Sequence, residues 1–105
     1  MRMVLRAGPL ELDPAERRVR LHGAPLVLRP REYALLHYLL RRRGEAVSKA
    51  DILTELQDEF AGGDAYVVEV TISYLRRRLA APPNRPIVET VPGVGYRLSP
   101  DGGCH

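Results

Sequence analysis

The stretch DAYVVEVTISYLRRRLAAPP, residues 64–83, decides how this chain is read. Asp64 is a natural N-cap, since its short carboxylate can accept backbone N–H groups of the first turn. Pro82 and Pro83 stop the helix, which is predicted over residues 65–80. At about 100° of rotation per residue, with Val68 at zero, Ile72 falls near 40°, Leu75 near −20° and Leu79 near 20°. These four side chains make one narrow apolar stripe, the core face. Tyr66, Val70, Ser73, Tyr74 and Arg77 lie opposite it. Arg76 is on one flank; Thr71 and Arg78 are on the other. The outer face thus carries two tyrosines, small residues and a rim of guanidinium groups. A major groove about 12 Å wide admits one such helix. Small residues permit close approach, and rim arginines reach phosphates. An ordinary surface helix with an arginine cluster has the same pattern, so the flanking segments matter.

Downstream, Ile87 to Val91 reads as a strand, Pro92-Gly93 as a turn and Gly95 to Leu98 as the returning strand. Upstream, QDEFAGGD at 57–64 has two glycines and three acids and is predicted to be an exposed loop. Before it, Ser48 and Asp51 have capping-box spacing ahead of a short helix at about 49–57, carrying Ile52, Leu53 and Leu56. An earlier helix, at about 30–43, starts with Pro30 and has Glu32 in its first turn. Its stripe is Leu35, Leu36, Leu39 and Leu40, and Gly44 stops it. Arg41, Arg42 and Arg43 suit the negative end of its dipole. The first third reads as three short strands: GPLELDP alternates around Leu10 and Leu12, RRVRLHG alternates Val19 and Leu21 against arginines, and APLVLRP carries Leu26, Val27 and Leu28 up to Pro30. The predicted fold is therefore α+β, a winged helix-turn-helix: an N-terminal antiparallel β-meander, a three-helix core and a C-terminal β-hairpin wing. Residues 1–8 are read as a linker remnant, 9–98 as the domain and 99–105 as a flexible tail.

The chain has 105 residues, the size of one domain. No apolar run approaches the roughly 20 residues that span a bilayer. MRMVLRAG lacks an apolar signal core, so a cytoplasmic place and no membrane contact are expected. Cys104, the one cysteine, excludes an intrachain disulfide and a multi-cysteine zinc site. His22, His37 and His105 are scattered, without a metal partner at helical spacing or a nucleophile–base pair. No catalytic residue, metal or cofactor is expected. The net charge of +3 hides an uneven distribution. Residues 1–43 carry a net +6, residues 44–69 a net −6 and residues 70–105 a net +3. Two basic ends around an acidic middle suit an anionic partner and a separate contact surface.

In element order and in three motifs, the sequence resembles the DNA-binding effector domain of the OmpR/PhoB family of response regulators. LRPREYALLHYLLRRRGEAVSKADIL is similar to that family's first two helices, YVVEVTISYLRRRL to its recognition helix and IVETVPGVGYRL to its wing. In the wing, Gly93, Gly95, Tyr96 and Arg97 stand in the expected places. The resemblance covers about residues 6–99. It implies transcription regulation as the output domain of a two-component system, with an N-terminal receiver domain missing from this chain. It also implies double-stranded DNA as partner, with direct repeats bound by head-to-tail dimers that are monomers when free. RNA polymerase would be met through the loop between helices two and three, here Gln57, Asp58, Glu59, Phe60 and Asp64. On the recognition helix, DNA contact is expected from Tyr66, Val70, Thr71, Ser73, Tyr74, Arg76, Arg77 and Arg78. Arg29, Lys49, Thr90 and Arg97 are expected at phosphates or in the wing.

Three departures bear on affinity. Arg29 stands where the family usually has threonine, which removes a hydroxyl N-cap worth about 1 kcal/mol. Ser73-Tyr74 replaces a frequent Arg-Arg pair. Pro92 occupies a wing-tip position where arginine often enters the minor groove, and proline has no donor. A winged-helix module for protein contacts, with weak or no DNA reading, is the alternative. The same domain type also opens larger regulators with helical-repeat domains. Met1 is read as the edge of an excised fragment, because residues 2–8 resemble the end of an interdomain linker.

Overall fold

The computed structural model describes residues 3–80 and 86–100. Four short strands come first: β1 (Leu5–Ala7), β2 (Leu10–Asp13), β3 (Arg18–Leu21) and β4 (Ala24–Leu26). They form an antiparallel sheet in that order. The alternation read in the sequence puts Leu10, Leu12 and Val19 into the core, with Leu12 paired to Val19. One strand was not expected. Leu5–Ala7, within the predicted linker, pairs with β2 through Leu5–Leu12 and Ala7–Leu10, and Ala7 is buried. Three residues are too short for alternation to stand out, and the pairing decides the strand.

Helix α1 (Pro30–Arg41) ends two residues before its predicted limit, with Arg42 as C-cap. Arg42 pairs with Glu45 at 3.1 Å, and Arg43 donates to the Arg6 carbonyl, joining the helix end to β1. Leu35, Leu36, Leu39 and Leu40 are buried as the stripe requires, but so are Glu32, Tyr33, Ala34 and Tyr38. The helix is enclosed because it packs against β1 on one side and the third helix and the last strand on the other. Arg29 provides no side-chain cap. Instead the Glu32 carboxylate accepts the Arg29 N–H at 3.1 Å, half of a capping box.

Next come β5 (Val47–Ser48), α2 (Lys49–Glu55), α3 (Ala65–Leu79), β6 (Val88–Val91) and β7 (Gly95–Leu98). Ser48 caps α2: its Oγ accepts the Asp51 N–H at 3.0 Å and its own N–H meets the Asp51 carboxylate. Helix α2 is shorter than predicted at its C-terminus, and Leu56 caps it. The second sheet has the order β5-β7-β6 and includes the wing hairpin. Strand β5 has two residues and no local signal. It exists through pairing of Val47 with Tyr96 and Ser48 with Gly95.

The segment after α2 corrects a prediction. Phe60, read as part of an exposed loop, is 2% exposed and belongs to the core together with Leu56. Their spacing of four residues continues the apolar pattern of α2. The Phe60 N–H bonds to the Leu56 carbonyl, and Arg31 of α1 lies over the ring, with Nε donating to the Glu59 carbonyl at 3.0 Å. Gln57, Asp58 and Glu59 remain exposed around this anchor. At the other end of the chain, Ser99 is buried and its N–H bonds to the Ile87 carbonyl at 2.8 Å, so order continues past the predicted boundary. The Pro82-Pro83 stop and residues 101–105 of the predicted tail lie outside the described residues.

Candidate nucleic-acid interface

Helix α3 begins as predicted, with the Asp64 carboxylate accepting the Val67 N–H at 3.3 Å. Val68, Ile72, Leu75 and Leu79 are each no more than 2% exposed. Both flanks of this stripe are tied to the rest of the domain. On one side, Arg76 donates from Nε to the Val88 carbonyl at 3.1 Å and from Nη2 to Thr90 Oγ1 at 2.7 Å. Its guanidinium also lies over the Tyr96 ring. Arg76, expected at the phosphate rim, is therefore the clamp between α3 and the wing. On the other side, Arg78 Nε meets Glu32 Oε1 at 2.6 Å and fastens α3 to α1. Glu32 is buried, and its pairing with Arg78 and with the Arg29 N–H satisfies it, as a carboxylate out of water requires.

Thr71 is a second correction. It is 4% exposed, and its hydroxyl donates to the Val67 carbonyl at 2.8 Å. Its flank faces the domain, so this side chain offers nothing to an outside partner. What remains open is the middle of the outer face. Tyr66, Ser73, Tyr74 and Arg77 are exposed, and Val70 is half-buried beside them. Tyr66 is 69% and Tyr74 47% exposed, unusual values for large side chains without a partner. The Arg77 guanidinium lies over the Tyr74 ring, 5.6 Å from its centroid. Arg29, Tyr74, Arg77 and Arg78 line one cleft between the ends of α3 and α1.

The wing stands beside this strip. Its turn is closed by the Val94 N–H on the Val91 carbonyl at 3.0 Å, and Pro92, Gly93 and Val94 form the exposed tip. Arg97 pairs across the hairpin with Glu89 at 3.0 Å. Lys49 is held by Glu69 at 2.5 Å, and that hydrogen bond raises the Lys49 pKa above its ordinary value. Of the four residues expected at phosphates or in the wing, Lys49, Thr90 and Arg97 thus have side-chain partners inside the domain, while Arg29 lies in the cleft beside Arg77. Sequence reading missed Glu69 and Val94. Glu69 is the one acid between Ala65 and Leu79, a signal that was visible. Val94 is 50% exposed, an apolar tip beside a proline. Among the described residues, no group of three His, Cys, Asp or Glu side chains is placed to hold a metal ion, and no helix is long and apolar enough to cross a membrane.

A three-helix core with a clamped hairpin beside an open helix face defines a winged helix-turn-helix domain. The chain belongs to the family described as transcriptional regulatory protein, C terminal, whose model matches residues 23–98. It is 40% identical over 95 residues to the transcriptional regulatory protein CutR of Streptomyces coelicolor, covering 90% of this chain and 42% of that protein. It is 39% identical over 101 residues to the transcriptional regulatory protein TcrA of Mycobacterium tuberculosis, covering 96% of this chain and 40% of that one. The chain therefore spans about two-fifths of the length of these relatives. Among solved structures it is similar to the RstA DNA-binding domain of Klebsiella pneumoniae in complex with the RstA box. The TM-score there is 0.81 at 29% identity, over 92% of this chain and 97% of that one. The DNA-binding domain of CpxR from E. coli gives 0.76 at 28% identity, over 94% and 98%.

Proposed function

We propose that this domain binds double-stranded DNA sequence-specifically to regulate transcription, as the output part of a two-component response regulator. The observation that carries this is the open strip of α3. Tyr66, Val70, Ser73, Tyr74 and Arg77 face outward without a carboxylate among them, between flanks closed by Arg76 and Arg78. A strip of that width and chemistry suits the major groove, where small residues admit the helix and Tyr and Arg meet base edges and phosphates. The wing then lies on the backbone or at the minor groove. Pro92 and Val94 at its tip contribute apolar contact with sugars rather than donors. Arg29 and Arg77, in their shared cleft, are the phosphate contacts on the far side. That the RstA domain was solved on its box supports the same use of this fold.

The remaining partners follow as part of this reading. The domain pairs head to tail on direct repeats, and the rest of a longer regulator supplies a receiver domain. Gln57, Asp58 and Glu59, exposed around the Phe60 anchor, with Asp64 at the start of α3, present an acidic edge to RNA polymerase. The test is fluorescence anisotropy with a duplex selected from a random library and with its scrambled form, over a range of salt. Specific binding should be tighter, and log affinity should fall with log salt by roughly 0.9 for each phosphate neutralised. Absence of duplex binding, together with salt-insensitive capture of a protein partner, would overturn the proposal.

A further inference from the structure

The groove between α3 and the wing is lined by Lys49, Glu69, Thr90, Pro92, Val94 and Tyr96, among others. It contains one ammonium and one carboxylate, and they are bonded to each other at 2.5 Å. Both are partly exposed, at 35% for the Lys49 side chain and 48% for Glu69. Burial does not force this pairing, since either group would be hydrated if the other were removed. Glu69 is also the one acid on a helix whose last turn carries Arg76, Arg77 and Arg78. On the assumption that this face meets DNA, a carboxylate here repels phosphate and cancels the nearest lysine. It therefore lowers affinity for every duplex alike.

We infer that Glu69 is a charge filter on the DNA-binding face, which holds Lys49 away from the DNA backbone and so lowers the sequence-independent part of the affinity. The physical basis is the division of labour in DNA recognition. Phosphate contacts supply nearly all non-specific affinity, whereas base contacts supply the difference between sites. Masking one phosphate-binding ammonium removes the same affinity from specific and non-specific complexes, without touching the open strip of Tyr74, Ser73 and Arg77. The pairing also explains why Lys49 holds its proton more firmly than an ordinary lysine. This inference rests on the proposed function, because a charge filter has meaning only on a DNA-binding face.

The experiment compares the wild-type chain with Glu69→Gln, Lys49→Ala and the double variant, on the selected and scrambled duplexes across salt. Glu69→Gln should bind the scrambled duplex more tightly, with the salt slope steeper by roughly 0.9, about eightfold for each tenfold dilution of salt. The selected duplex should gain by the same factor, so the ratio of specific to scrambled affinity should stay the same. In the Lys49→Ala background the same substitution should leave the slope unchanged, because no ammonium is left to release. Nitrogen NMR of the free domain should show the Lys49 amine titrating at lower pH in Glu69→Gln. If wild type binds DNA with salt-dependent affinity and Glu69→Gln matches it in slope and in affinity for both duplexes, the inference fails alone. If wild type binds no duplex, both the inference and the proposed function fail.

Discussion

Tyr74 is the residue on which the proposed recognition face depends most. It is 47% exposed, and Arg77 lies over its ring. Truncation to alanine removes no core contact, so Tyr74→Ala should change stability by within about 0.5 kcal/mol. Specific binding should weaken by about 1–3 kcal/mol, the range for a base contact, with scrambled duplex little affected. Thermal melts beside affinities for both duplexes separate this from packing; a lower melting temperature with an intact specificity ratio would make Tyr74 a structural residue. Arg76 should behave in the opposite way. Its two hydrogen bonds join α3 to β6, and Arg76→Ala leaves the Val88 carbonyl and the Thr90 hydroxyl without them. A loss of about 1–3 kcal/mol is expected. Both duplexes should then bind more weakly at an unchanged salt slope, because this guanidinium holds the wing rather than a phosphate. A shallower slope would return Arg76 to the phosphate rim. His37 sets a third expectation. Burial first, then the charges of Arg41 and Arg17, hold its pKa below the usual value. The unfolded chain therefore takes up the proton first as pH falls, and stability should drop below about pH 6.5 until the folded imidazole also protonates. Melts at pH 7.5 and 5.5 should differ less in His37→Gln than in wild type.

Among the elements, the wing shows how a backbone approach constrains a side chain. A Cβ on Gly95 would lie 2.1 Å from the Val47 carbonyl oxygen and 2.9 Å from the Ser48 Cα, both backbone atoms. Strand β5 therefore pairs with β7 only because residue 95 has no side chain. Gly95→Ala should cost about 1–3 kcal/mol, as overpacking does. Amide exchange at Tyr96 should quicken with it, while amides within α1 keep their relative protection. An unchanged melt would show that β5 can move aside freely. The helices were the most legible elements, because a 3.6-residue stripe repeats over several turns. In α3 that stripe located Val68, Ile72, Leu75 and Leu79 correctly, and Asp64 marked the start. Strands β1 and β5 were not legible, since three and two residues carry no measurable period.

For the whole molecule, exposure bears on association. Among the described residues, the exposed large apolar side chains are Met3, Val27, Tyr66, Tyr74 and Val94. Three of them lie on α3 or the wing tip, the face proposed to meet DNA, and the apolar stripe of α3 is buried in the core rather than exposed as a heptad seam. The free domain is expected to sediment as a monomer at micromolar concentration and to pair only on a duplex with two sites. A tight dimer without DNA would contradict that.

The sequence alone determined the order of helices and hairpin, the core stripes of α1 and α3, and the outward strip of Tyr66, Val70, Ser73, Tyr74 and Arg77. Each is a local property, set by periodicity, caps and turn residues within about twenty positions. Only the tertiary structure decided what the charged flanks do. Arg76 reaches Val88 and Thr90, Arg78 reaches Glu32 forty-six positions earlier, and Lys49 reaches Glu69 twenty positions later. A helical wheel gives the direction of a guanidinium but not what stands in its path. The burial of Phe60 has the same cause, since Arg31 of α1, far away in the chain, lies over its ring.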